Sequence, residues 1–308
     1  MVDNIPIITA KGVNKRFGNT RILDDVSFQV RKGGIFGIVG PSGSGKTTLL
    51  KVIVDFYKPD SGHMNVDVKR VRDKVGFTTQ NNCFYDALTV NENLIYFGSL
   101  YGMKKSLLKE RSKQLLTTVG LAGHGKKLAL KLSGGMSRRL DLAISLLNNP
   151  DILILDELTA GLDPIARKQM IALVRNINNS GVTVLISTHM LDEIEELCDD
   201  MILLSNGKII AQGHPDTLKQ DFMKYEQVII QTYPGNYKNI LSHIAGFKHD
   251  ISHYHIENNK LILLSGKASK VIHQILYSLN GCKEKLIEID ISKPDLNVVF
   301  EKAAGGKE

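Results

Sequence analysis

Gly40-Pro41-Ser42-Gly43-Ser44-Gly45-Lys46-Thr47 matches G-x-x-x-x-G-K-[ST], and Thr48 follows it. The chemistry this spacing offers is the cradling of phosphate. Its glycines let backbone N–H groups turn inward around an anion, and a helix N-terminus behind them adds partial positive charge. Lys46 would reach the β- and γ-phosphates of a nucleoside triphosphate, and the Thr47 hydroxyl would sit on Mg2+. Farther on, Asp156 and Glu157 close the apolar run Ile152-Leu153-Ile154-Leu155. Asp156 suits Mg2+, held through water because that ion takes few protein carboxylates. Glu157 then stands where a general base for an attacking water is needed. His189 follows a second apolar run, where it suits a bond to a γ-phosphate; an ordinary turn histidine fits the same spacing. Ser133-Gly134-Gly135 ahead of a helix is another place to hold an anion, by the same amide and dipole argument. These residues predict a nucleoside triphosphate site.

The elements that must position them are legible in the apolar pattern. Ile35–Val39 reads as a buried strand and Thr48–Val54 as a helix, which is the strand–loop–helix context the phosphate loop requires. Ile152–Leu155 and Val182–Ser187 read as buried parallel strands, whose carboxyl ends are where such sheets bind ligands. Ile7–Lys15 and Ile22–Val30 read as two strands joined by a turn at Arg16–Thr20. Phe17 stands at that hairpin tip, where stacking on an adenine ring and plugging a sheet edge are equally good readings. Short strands are expected near Met64–Val68 and Val75–Thr79, with Gln80 just past the second. A helix is expected from Thr89 to about Tyr101, an amphipathic one from Lys104 to Val119, and others at Ser137–Leu147 and Ile165–Asn178, the last with Pro164 at its first position. Phe84, Tyr85, Leu88, Tyr96, Phe97 and Tyr101 crowd one short region, suiting core packing and a partner surface alike. Met201–Leu204 and Lys208–Ala211 around Asn206-Gly207 read as a hairpin.

Leu218–Asp221 reads as a boundary. Beyond it the pattern is strand Gln227–Thr232, helix Asn236–Ala245, hairpin Ile251–Leu264, helix Ser269–Leu279, strand Lys285–Ile291 and a closing helix Leu296–Ala303. That βαββαβ order predicts a small ferredoxin-like α+β unit. His249, His253 and His255 crowd one hairpin strand but offer too few ligands for a metal site.

The 308 residues suffice for a large domain and a smaller one. No run of 18 consecutive apolar residues occurs, so no helix crosses a membrane by itself. Met1–Ala10 lacks the basic and apolar regions of a secretory signal, which sets the expectation of a cytoplasmic chain. Cys83, Cys198 and Cys282 are far apart and odd in number, against a disulfide framework and for a reducing compartment. The formal charge of +7 is scattered, without the basic and aromatic stripe of a nucleic-acid reader, so no nucleic acid is expected as a partner.

In order and spacing, these motifs resemble the ATP-binding cassette (ABC) family across roughly residues 5–213. Gly40–Thr47 is similar to its Walker A, Gln80 to its Q-loop, Leu132–Met136 to its signature, Ile152–Glu157 to its Walker B, Ala160–Asp163 to its D-loop and His189 to its H-loop. The resemblance implies an α/β fold of the P-loop NTPase class: a RecA-like core, an antiparallel β subdomain and an inserted helical subdomain at about residues 85–145. The boundary at Leu218–Asp221 gives a cassette at residues 1–219 and an accessory domain at 220–308. It implies that Phe17 stacks on adenine and that Gln80 joins Thr47 and Asp156 at Mg2+. Ser133-Gly134-Gly135-Met136 followed by Ser137-Arg138-Arg139-Leu140 resembles the ATPases of type-2 exporters, as does Lys293–Phe300.

Met136 stands where glutamine is usual, Leu158 where proline is usual and Gly34 where glutamate is frequent; none removes a catalytic group. The resemblance implies that the signature caps the γ-phosphate held by another cassette. The implied assembly is a head-to-tail homodimer burying two ATP, peripheral on the cytoplasmic face of the membrane and driving a separate permease. A soluble cassette ATPase on nucleic acid or ribosomes, and a nucleotide-switched regulatory module, are the alternatives.

Overall fold

The computed structural model describes residues 6–222, 225–243 and 250–292. The chain forms two compact units, Met1–Pro215 and Asp216–Glu308.

The first unit opens with long antiparallel strands Pro6–Phe17 (β1) and Thr20–Arg31 (β2), turning tightly at Gly18-Asn19. Both run further than their apolar residues alone suggest, because the hairpin ladder continues past the core. Ile35–Val39 (β3) is buried throughout and leads through the glycine loop into Lys46–Ile53 (α1). Ser61–Val66 (β4) pairs with the free side of β1, giving a three-stranded antiparallel sheet in the order β2-β1-β4. Val71–Lys74 (α2), a single turn too short to carry an apolar period, precedes Val75–Thr78 (β5).

Then come the helices Val90–Leu100 (α3), Lys105–Thr118 (α4) and Gly134–Ser145 (α5). Thr89 and Glu92 form a reciprocal capping box at the start of α3. Helix α5 begins at Gly134 rather than near Ser137, because Ser133 caps it and draws both glycines into the first turn. Ile152–Asp156 (β6), Pro164–Asn179 (α6), Thr183–Thr188 (β7), Leu191–Leu197 (α7), Asp200–Ser205 (β8) and Lys208–Gly213 (β9) complete the unit. Strands β8 and β9 join through Asn206 and Gly207, both at positive φ as the Asn-Gly turn demands.

The six-stranded sheet runs β5-β6-β7-β3-β8-β9, parallel except for β9. One core binds it to the antiparallel sheet: Val26 and Phe28 of β2, Leu49, Leu50 and Ile53 of α1, Ile38, Ile154 and Leu185 of the parallel strands. This is the RecA-like core with an antiparallel β subdomain and a helical subdomain that the resemblance implies.

Pro215–Phe222 (α8) occupies the stretch read as a boundary. The second unit then contains Glu226–Tyr233 (β10), Tyr237–His243 (α9), Ile251–Glu257 (β11), Lys260–Ser265 (β12), Ala268–Cys282 (α10) and Lys285–Ser292 (β13). Its sheet is antiparallel in the order β11-β12-β10-β13, with α9 and α10 packed on Val228, Ile230, Leu261 and Leu263. That is the ferredoxin-like arrangement. His249 and the closing helix Leu296–Ala303 lie outside the described residues; the rings of His253 and His255 on β11 lie 6.1 Å apart.

Candidate active site

Register alone brings the chemistry together. β7 lies between β3 and β6, with Val39 opposite Thr188 and Asp156 opposite Ser187. The loop after β3, the carboxylates ending β6 and the histidine after β7 therefore share one edge of the sheet.

The glycine loop is tightly supported from below. A Cβ on Gly40 would lie 2.1 Å from the Leu204 carbonyl oxygen, and Gly45 enters α1 at φ +108° with the Ile22 carbonyl beneath it. Both positions admit only glycine. Pro41, Ser42 and Gly43 are exposed, as is Thr47, whereas Thr48 is half-buried on the first turn of α1. Lys46 is buried, its ammonium donating to the carbonyls of Gly40 at 2.8 Å and Pro41 at 3.2 Å. Burial pulls its pKa below the usual lysine value, opposed by the charges of Glu157 and Asp156. The Ser44 hydroxyl is buried in the loop without a hydrogen-bond partner. A buried cation and an orphaned hydroxyl in an exposed glycine loop suit the binding of an anion.

Across the edge, the Thr47 hydroxyl donates to Asp156 Oδ2 at 2.9 Å, and Ser187 donates its own to Asp156 Oδ1. A hydroxyl and a buried carboxylate in contact are the hard oxygen donors that Mg2+ takes, so the residues fit that ion. Glu157 is held at φ 50°, a left-handed conformation uncommon for a side chain of its size, by its amide donating to Ser187 O at 3.0 Å. Its carboxylate then becomes the hub of the site. Lys46 Nζ lies 3.6 Å away, His189 Nδ1 3.7 Å away, and the Gln80 amide donates to it at 3.3 Å. Gln80 thus meets Glu157, the residue next to Asp156.

Phe17 is 45% exposed, its ring edge-on to Tyr57 at 5.0 Å with the Lys15 ammonium 5.6 Å from its centroid. An exposed, buttressed aromatic at the hairpin tip favours a stacking surface over a plug. Ser133, Gly134 and Gly135 are elsewhere. The N-terminus of α5 opens into a pocket of about 380 Å3 shared with Gly161, Leu162 and Asp163. Among the described residues, none of Gly40–Thr48 lines it. Asp163 caps α6, accepting from the amides of Ile165 and Ala166.

Sequence reading passed over several residues that hold this site. Ser187 fixes both Asp156 and the Glu157 amide; its signal was a polar residue ending an apolar strand. Arg138 of α5 donates to the Gln80 carbonyl at 2.6 Å, and Asp141 accepts from the Cys83 amide at 2.9 Å. Together they tie the Gln80 loop to the signature helix. Burial lifts the Asp141 carboxyl to about 6. Thr159 donates to the buried Glu193, linking the segment after Glu157 to α7.

Comparison with known proteins agrees with this geometry. A family model described as ABC transporter matches residues 23–160. The doxorubicin resistance ATP-binding protein DrrA of Mycobacterium tuberculosis is 30% identical over 95% of this chain and 92% of its own length. The chain belongs to the ABC transporter ATP-binding proteins. The Nod factor export ATP-binding protein I of Ralstonia nicotianae is 38% identical over 70% of each chain. Among solved structures, cbiO1 of Clostridium perfringens, part of the transporter complex cbiONQ, matches with a TM-score of 0.66 at 26% identity, covering 70% of this chain and 91% of its own. The cassette MJ0796, a dimer in a post-hydrolysis state bound to ADP and Pi, matches at 0.61 and 26% identity, covering 68% and 98%. This cassette is therefore a nucleotide-binding, ATP-hydrolysing subunit of an ABC transporter. Among the described residues, no helix is long and apolar enough to cross a membrane.

Proposed function

We propose that two copies of this cassette close head to tail over two ATP molecules, and that the cycle drives export through a separate membrane permease at the cytoplasmic face. The observation that carries the reading is the separation just described. The signature residues line an open pocket together with Gly161, Leu162 and Asp163 of the D-loop, and among the described residues none of Gly40–Thr48 lines it. A second copy supplies what each site is missing.

In each composite site the amides of Gly43–Thr48 and the Lys46 ammonium hold the β- and γ-phosphates, and Phe17 stacks on the base. From the facing copy, Ser133 and the Gly134 and Gly135 amides close over the γ-phosphate, with Asp163 beside them. Thr47 and Asp156 would hold Mg2+, with Gln80 joining them, and the ion would supply neutralisation of charge on the phosphate oxygens. Glu157 takes the proton of the attacking water, and His189 steadies the γ-phosphate. Loss of the γ-phosphate removes the bridge between copies. Swinging the dimer from 1:99 to 99:1 closed needs about 5.5 kcal/mol of differential binding.

The exposed rings of Tyr85, which follows the Gln80 loop, and Tyr96, edge-on to it at 4.9 Å, are the surface proposed to pass this movement to the permease. Phe84 belongs to the core instead. Relatives named for Nod factor export and doxorubicin resistance support the outward direction.

Size-exclusion with light scattering in Mg-ATP tests the assembly. Glu157→Gln is expected to elute as a dimer, and Glu157→Gln with Ser133→Arg as a monomer. A double variant that still dimerises would overturn the shared-site reading.

A further inference from the structure

Away from the nucleotide edge, α3, α4 and residues 122–126 enclose a pocket of about 850 Å3. Its frame is fixed: the Asn91 amide donates to Gly125 O at 2.9 Å and the Val90 amide to Lys127 O at 3.0 Å. Ile95, Leu108 and Leu116 give it an apolar floor. Lys105, Lys109 and Lys113, one turn apart along α4, stand at its rim with Lys126 opposite, and among the described residues no carboxylate lines it. At its base the Ser112 hydroxyl is buried, in a residue 5% exposed, and has no hydrogen-bond partner. Nothing in the ATPase chemistry uses these groups.

The volume is that of a small-molecule site, too confined for a folded partner. An apolar floor under a ring of ammonium groups selects an amphiphilic anion, its acyl portion against the leucines and its charge among the lysines. We propose that this pocket binds an acidic membrane phospholipid. The choice of a membrane source rests on the permease reading above, which places the chain at a membrane surface.

The test uses the full chain with vesicles of one part phosphatidylglycerol to three parts phosphatidylcholine, and with phosphatidylcholine alone. The chain has no tryptophan, so Ala122→Trp places a sole reporter at the pocket. The expected result is a blue-shifted emission with the acidic vesicles only. In flotation, Lys109→Gln with Lys113→Gln should weaken binding by about 25-fold, taking about 1 kcal/mol per lysine. Lys238→Gln with Lys285→Gln, which removes the same charge elsewhere, should change it less than about twofold. Equal losses from the two pairs would reduce the effect to diffuse charge and overturn the site, as would an unshifted emission. Basal ATPase of the lysine variants checks their folding. Neither vesicle readout needs nucleotide or permease, so failure of the dimer reading shows separately, in the light-scattering experiment.

Discussion

Replacing Glu157 by glutamine changes one property of the site, its charge, and leaves volume and hydrogen-bond reach intact. The amide oxygen still accepts from Gln80, which donates to the carboxylate at 3.3 Å, and the backbone at φ 50° is held by Ser187 rather than by the side chain. What disappears is the base. General-base catalysis contributes about 10²- to 10⁴-fold, so turnover should fall by that factor, roughly 3–5 kcal/mol of barrier. Lys46 loses a carboxylate at 3.6 Å yet keeps the Gly40 and Pro41 carbonyls. Affinity for ATP should therefore stay within about threefold of the parent, a difference under 1 kcal/mol. Phosphate release measures the first quantity and titration calorimetry the second. Turnover within twofold of the parent would remove Glu157 from its role; intact turnover with lost binding would show that the carboxylate serves only to position Lys46.

Two further outcomes follow from the geometry. Lys46→Ala removes the buried ammonium and should weaken ATP binding by at least about tenfold, the value of one charge-assisted hydrogen bond; unchanged calorimetric affinity would contradict it. Asp141, lifted to about 6 by burial with Oδ2 unpartnered, binds its proton more tightly folded than unfolded. Stability is thus greatest below the unfolded value near 4, falls as pH rises from there to about 6, and is level above. Asp141→Asn should flatten that slope and stabilise the chain at pH 7 by on the order of 2 kcal/mol, read from denaturant unfolding at both pH values.

Much of the site was legible because it depends on local spacing. Ile35–Val39 and Ile152–Asp156 are continuous apolar runs since both faces of a parallel strand are covered. The glycine loop and the two carboxylates follow from these strands. The neighbouring supports were not legible, because each joins residues far apart in sequence. Arg138 reaches the Gln80 carbonyl and Ser187 reaches Asp156 only once the sheet order exists. Short helices were missed for another reason: Val71–Lys74 and Leu191–Leu197 are too brief to show a 3.6-residue period. At Gly134 the propensity argument was overruled by a cap, with Ser133 accepting from the Met136 amide and starting α5 early. The aromatic cluster divided on tertiary grounds, Phe84 inward and Tyr85 and Tyr96 outward, as composition alone could not decide.

The central claim is that lysine and signature act on the same nucleotide from different copies. Mixing two inactive proteins, Lys46→Ala and Ser133→Arg, tests it most directly. In a mixed dimer one composite site carries both lesions and the other carries neither. The account predicts that ATPase activity returns on mixing, toward about one quarter of the parent's intact sites in a statistical, symmetric exchange. A mixture as inactive as its components, with exchange shown by differential labelling, would contradict it.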